Sequence, residues 1–237
     1  RLTGTDLEGS GLNASDLGKQ VVYSNRSVTL SESSIGNIND TCIYVSEQYP
    51  VALDDVTMDG CAAYAVYGRG DIAAANSVIK NVERGLYSTY GDVVFDASTL
   101  QDAAYYGLYV ADSSKTLTLS GSTVEGVGYN CVYSRGSIVT SDSTVSNCTG
   151  WGLYATYAVT ADNLVLSDTT GNGIGAYYED VNATNLELSN IGGSGLYLYK
   201  GDVNIDGLVA SILGSRAVYG RGSAVLKNLD VSDTNSD

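Results

Sequence analysis

Four cysteines, a few paired carboxylates and a recurrent tyrosine are the residues of this chain that could carry chemistry, and no histidine accompanies them. Without an imidazole there is no Ser-His-Asp triad, no Cys-His pair and no His-ligated metal. Two carboxylates can cleave a glycoside, one as acid and the other as base or nucleophile. The adjacent acidic pairs are Asp54-Asp55 and Glu179-Asp180. No glycine-rich loop runs into Lys-Ser/Thr, so a phosphate cradle is not expected. Acidic corners could hold Ca²⁺ loosely, but no EF-hand or nonapeptide calcium pattern occurs. No catalytic residue, resident metal or other cofactor is therefore assigned.

The tyrosines are the stronger signal. A phrase of small residue, aliphatic, tyrosine, small residue recurs along the chain, from VVYS at Val21–Ser24 to AVYG at Ala217–Gly220. Its third position is filled by Tyr23, Tyr44, Tyr67, Tyr87, Tyr109, Tyr133, Tyr154, Gly175, Tyr197 and Tyr219, at intervals of 20 to 24 residues. Composition carries the same imprint: 28 Gly and 19 Tyr, but one each of Phe, Trp, Met and Pro. One template has been reused many times. Downstream of each phrase apolar residues alternate, as in Val93, Phe95, Ser98 and Leu100, which is the period of a strand. Seven places before most tyrosine slots stands Asn, Asp or Gly, residues that tolerate the left-handed backbone of a tight corner. Asn81 lies one place nearer its slot and Ile212 breaks the rule.

Each unit thus holds three short strands separated by corners and cannot bury its apolar face alone. Units must stack, like on like. Alternation turns the residue before each tyrosine inward and the tyrosine outward. It also sets Arg69, Arg135 and Arg221 outside, two places beyond their tyrosines. This face of Tyr23, Tyr44, Tyr67, Tyr87, Tyr109, Tyr133, Tyr154, Tyr197 and Tyr219 with the three arginines has two readings. The rings stack on one another for stability, or they form a strip that meets a glycan or protein partner.

The cysteines repeat an offset. Cys42 and Cys131 lie two residues before a tyrosine slot, and Cys61 and Cys148 lie six before the next one. Both positions flank the same corner in consecutive units, which predicts the disulfides Cys42–Cys61 and Cys131–Cys148. The alternative is four buried thiols. Disulfides would imply an oxidising compartment.

Unit length, inward aliphatics and corner Asn/Asp together resemble the right-handed parallel β-helix proteins, the pectin-lyase-like superfamily, from about Leu12 to Asp233. The resemblance implies an all-β solenoid of about ten coils, near 22 residues each. Hydrolases of that superfamily carry an Asp pair beside Gly-His-Gly, which a chain without histidine cannot supply. Its lyases carry a Ca²⁺-binding Asp cluster and a catalytic Arg. Neither acidic pair here has an Arg at the matching place in the next coil. A non-catalytic, surface-type β-helix is the expectation.

A net charge of −15 repels nucleic acid and anionic membrane surfaces, and no apolar run is long enough to insert in a bilayer. Residues 1–11 read as a polar segment or partial coil, and 12–237 as one β-helix domain. With no cap in sight, the ends are expected to continue in a longer solenoid or to meet other copies head to tail as a filament. The functional expectation is an extracellular or cell-surface structural or adhesive protein. A carbohydrate-binding module is the alternative, and a polysaccharide lyase or hydrolase a distant third.

Overall fold

A computed structural model describes residues 2–4 and 6–235. Strands are the regular elements throughout, and all their pairings are parallel. Three-residue strands such as Val22–Ser24, Ile43–Val45 and Leu108–Val110 form an eleven-stranded sheet. The remaining strands form a fifteen-stranded sheet that wraps the other sides of the coil. Equivalent residues lie over one another without slippage: Leu86 on Leu108, Tyr87 on Tyr109, Ser88 on Val110. At roughly 4.8 Å per rung, eleven coils make a rod about 50 Å long.

The core consists of vertical files of aliphatics. Ile43, Val66, Leu86, Leu108, Val132, Leu153, Ile174 and Leu196 form one file and are all buried. The alternation follows from the pleat, since Val159, Ala161, Leu164 and Leu166 are buried while Thr160 and Asp162 are exposed. No helix among the described residues is long and apolar enough to cross a membrane.

Two corners turn each coil. Asp16, Asn37, Gly60, Asn81, Asp102, Gly126, Asn147, Asp168 and Asn190 all have positive φ, as expected, and so does Ile212 at +54°. A second left-handed corner lies at Glu32, Asp55, Asn76, Ala97, Gly121, Asp142, Asn163, Asn185, Gly207 and Asn228. The polypeptide bends there without losing its ladder. In most coils the expected second and third strands are therefore one bent strand, such as Val28–Ile38 or Val181–Ile191. Beside this bend the middle coils bury a serine file. Ser77 donates its backbone N–H to Ser98 Oγ at 2.9 Å, and Ser98 donates its own to Ser122 Oγ at 3.0 Å. Each hydroxyl returns its proton to a carbonyl two residues back, so the buried corner is satisfied.

The N-terminal segment is a rung of the same helix. Leu2–Gly4 pairs with Val22–Ser24, and Leu7–Ser10 with Val28–Ser31, which makes eleven coils in place of ten. Thr3 occupies the tyrosine position there, and Gly4 and Gly9 hide the alternation. At the other end the edge strand Ala224–Val231 leaves Leu226 and Leu229 exposed, although they continue the buried file positions of Ile205 and Leu208.

Candidate functional site: the tyrosine face

The short-strand sheet turns its central residue outward in every coil, and the rings meet. Tyr23, Tyr44, Tyr67, Tyr87 and Tyr109 stack in sequence, with centroids 5.5, 5.0, 5.4 and 4.6 Å apart and planes within 11° of parallel. Tyr133 and Tyr154 continue the file in edge-on and tilted contacts at 4.9 and 5.4 Å. Gly175 leaves a gap, and Trp151 fills it. Its indole lies over Gly175 so closely that a Cβ there would stand 2.3 Å from Cζ3. The indole meets Tyr154 at 5.0 Å and Tyr197 at 5.9 Å, and Tyr197 stacks on Tyr219 at 4.8 Å. The result is an unbroken aromatic spine from Tyr23 to Tyr219.

The rings are mostly half-buried by their neighbours. Tyr109 departs from the expected outward exposure, since Tyr87, Tyr106 and Tyr133 crowd it to 8%. Burial, reinforced by Tyr87 and Tyr133, pushes its phenol up to about 12. Burial also raises the phenols of Tyr44, Tyr87, Tyr106 and Tyr154.

The three arginines beyond the tyrosines join the face in different ways. Arg69 lies over the Tyr90 ring at 5.2 Å and donates to Ser46 O at 3.2 Å. Arg221 lies over Tyr199 at 4.7 Å, and Arg135 lies beside Tyr109 and Tyr133, whose phenols hold its guanidinium above its ordinary range. A further column, three residues before each tyrosine, escaped sequence reasoning. It holds Tyr64, Arg84, Tyr106, Asn130 and Trp151, with Tyr105 and Tyr129 one place earlier. Arg84 is sandwiched between Tyr64 and Tyr105 at 5.1 Å from each. Constancy of that offset was the available signal, masked by its mixed residue types.

Beside the spine, Tyr106, Tyr129, Asn130, Tyr133, Trp151 and Tyr154 enclose a cleft of about 310 Å³. A larger trough of about 510 Å³ lies on the other sheet, lined by Thr160, Asp162, Asn182, Thr184, Asn204 and Asp206 among others. Several of its polar groups serve one another: Asn204 donates to Asn182 at 3.0 Å, and Thr184 donates to Asp162. One member of each acidic pair is likewise engaged. Asp54 accepts from Asn76 at 2.9 Å, and Asp180 accepts from the Asp202 N–H at 2.8 Å. Among the described residues no three carboxylate or thiol side chains converge as a metal site would require.

Cys42 is bonded to Cys61 and Cys131 to Cys148, with Cα separations of 5.7 and 5.6 Å. Each bond flanks the corner that precedes a tyrosine strand, and all four residues are buried. Two disulfides indicate an oxidising environment.

A family described as a right handed beta helix region matches residues 10–149 and, in an overlapping match, residues 84–207. The chain belongs to this family of right-handed parallel β-helix proteins. No curated protein and no solved structure matches it.

Proposed function

We propose that the protein is a non-catalytic rod of the cell exterior, a segment of a surface fibre or stalk, that makes its contacts through the tyrosine face. The family holds both polysaccharide-cleaving enzymes and non-enzymes, so membership defines a fold and not an activity. The observation that carries the reading is the spine itself: touching aromatic rings along nearly the whole rod, flanked by arginine, on a scaffold where one carboxylate of each acidic pair, Asp54 and Asp180, is held in a structural hydrogen bond. Disulfides suit an extracellular setting, and the charge of −15 disfavours nucleic acid and anionic lipid as partners. The edge strand Ala224–Val231 offers a template for another parallel rung, which further coils of the same solenoid or a second copy added head to tail would supply. A carbohydrate-binding module on the same face is the second reading, favoured by the cleft beside the spine.

Sedimentation across a concentration series, with electron microscopy of the same samples, tests the rod. Filaments or end-to-end oligomers are the expected result, and monomers persisting at high concentration overturn it. Reducing-sugar release from acidic polysaccharides tests the absence of catalysis: none is expected, and sustained release would make the protein an enzyme.

A further inference from the structure

The side chains most readily oxidised by one electron are unevenly exposed in this protein. All four cysteines are tied up in disulfides, and Met58, the single methionine, is buried. The one indole, Trp151, is packed over Gly175 between Tyr154 and Tyr197. Phenols are what remains, and they fall into two groups. The file tyrosines are shielded by their neighbours, while Tyr49, Tyr90, Tyr105, Tyr129 and Tyr178 are 40 to 47% exposed. All five border the spine, Tyr105 and Tyr129 four places before their slots and the others three or five places after. Arg26, Arg69 and Lys200 lie over Tyr49, Tyr90 and Tyr178 at 5.7, 5.2 and 5.0 Å and hold those rings on the surface.

Geometry decides where oxidised phenols can join. A bond between carbons ortho to the two hydroxyls splays the side chains, so that their Cβ atoms stand well beyond one rung apart. Tyr105 and Tyr129 follow paired residues of consecutive coils, one rung of about 4.8 Å apart, with ring centroids at 5.6 Å and planes at 28°. The stacked file is held in the same register. Neighbouring rungs therefore sit too close for their rings to bond to each other, and an exposed ring finds its partner on another molecule.

We propose that the five exposed tyrosines are sites of oxidative coupling between copies, joining neighbouring rods by dityrosine bonds across the tyrosine face. The oxidant is hydrogen peroxide acting through a haem peroxidase. Each of two phenols loses an electron and its hydroxyl proton, and the peroxide takes up both electrons and both protons to become two waters. The two phenoxyl radicals form one carbon–carbon bond at their ortho positions. The ortho hydrogens leave as protons and the phenolic oxygens are reprotonated, which restores both aromatic rings and leaves the pair two hydrogens lighter. Such coupling suits the oxidising setting that the disulfides indicate. The proposal rests on reading the tyrosine face as the surface through which rods make contact.

The full chain is treated with a haem peroxidase and hydrogen peroxide across a concentration series. Denaturing gels run under reduction should show dimers and higher multimers that no disulfide explains. Peptide mass mapping should place the bonds among these five tyrosines, each cross-linked pair two hydrogens below the sum of its parts. Changing all five to Phe keeps the rings and removes the phenols, and should abolish the multimers although the file tyrosines remain. Tyr105→Phe with Tyr129→Phe should remove the bonds mapped to those two residues, and decides the matter if the fivefold variant does not fold. Multimers undiminished in the fivefold variant, bonds mapped to the file, or bonds confined within one chain overturn the proposal. Sedimentation of the unoxidised chain separates the two readings. Rods that assemble yet yield no multimers remove the coupling and keep the rod, whereas multimers from a chain that is monomeric until oxidised keep the coupling and remove self-assembly.

Discussion

The break in the tyrosine file at Gly175 and the indole that fills it should behave as one unit. Tyr154 pairs with Gly175 and Gly175 with Tyr197, so a tyrosine at 175 would continue the file. Its backbone φ lies outside the left-handed region, so the main chain accepts a side chain. The indole does not. A Cβ at 175 would stand 2.3, 2.7 and 3.0 Å from Trp151 Cζ3, Cε3 and Cη2. Gly175→Tyr should therefore cost about 2 kcal/mol, in the range of overpacked cores. Trp151→Ala removes a half-buried ring and should cost roughly half the penalty of a fully buried one, again about 2 kcal/mol. The double variant restores an all-tyrosine spine and should lie within about 1 kcal/mol of the natural protein, a coupling of about 3 kcal/mol. Urea unfolding followed by far-ultraviolet circular dichroism measures all four corners of the cycle. If the double variant loses the sum of the two single losses, the indole is not a substitute for the missing ring and the continuous spine is an accident of packing.

Replacing Cys42 and Cys61 by Ala opens a loop with a sequence separation of 19, and replacing Cys131 and Cys148 opens one of 17. Each change should lower stability by about 3 kcal/mol, read as a shift in the urea midpoint, and intact mass should rise by four hydrogens on reduction of the natural chain. Ile212→Asn should raise the unfolding temperature, by about 1 kcal/mol of stability. A β-branched residue is strained at φ +54°, and its 58% exposed side chain gives up little burial. Tyr109 ionises near 12 when folded and near 10 when unfolded, so folding favours its neutral phenol. That contribution is complete below pH 10 and vanishes as pH rises to 12, a loss of about 2–3 kcal/mol that Tyr109→Phe should abolish. Phenolate absorbance against pH, beside unfolding at each pH, checks the order; a Phe variant that keeps the same alkaline slope would contradict it.

The inward aliphatics, the outward tyrosines and both cysteine pairs were legible because stacking at fixed register turns a linear spacing into a vertical file. A residue type repeated at one offset is then a contact in space. The second corner was not legible, because its left-handed turn is imposed by the coil upon residues as different as Glu32, Ala97 and Gly121. Ile212 makes the same point at the first corner, where position overrode preference. The first coil escaped full notice because Thr3 and Gly4 retain the pairing without the phrase. The cleft was invisible for another reason. Asn130 and Trp151 sit at equivalent places in successive coils, yet one serves as a hydrogen-bonding floor and the other as a ring, and only the closed coil sets them against Tyr129 and Tyr106.

The spine also gives the molecule an optical property. Phenols in contact exchange excitation, and the lone indole, absorbing at longer wavelength, lies within the same file between Tyr154 and Tyr197. Light taken up anywhere along the rod should drain toward Trp151, so tyrosine emission is quenched while the coils remain in register. Loosening any coil between the absorber and the indole would return that lost emission, and the protein thereby carries a built-in gauge of its own continuity.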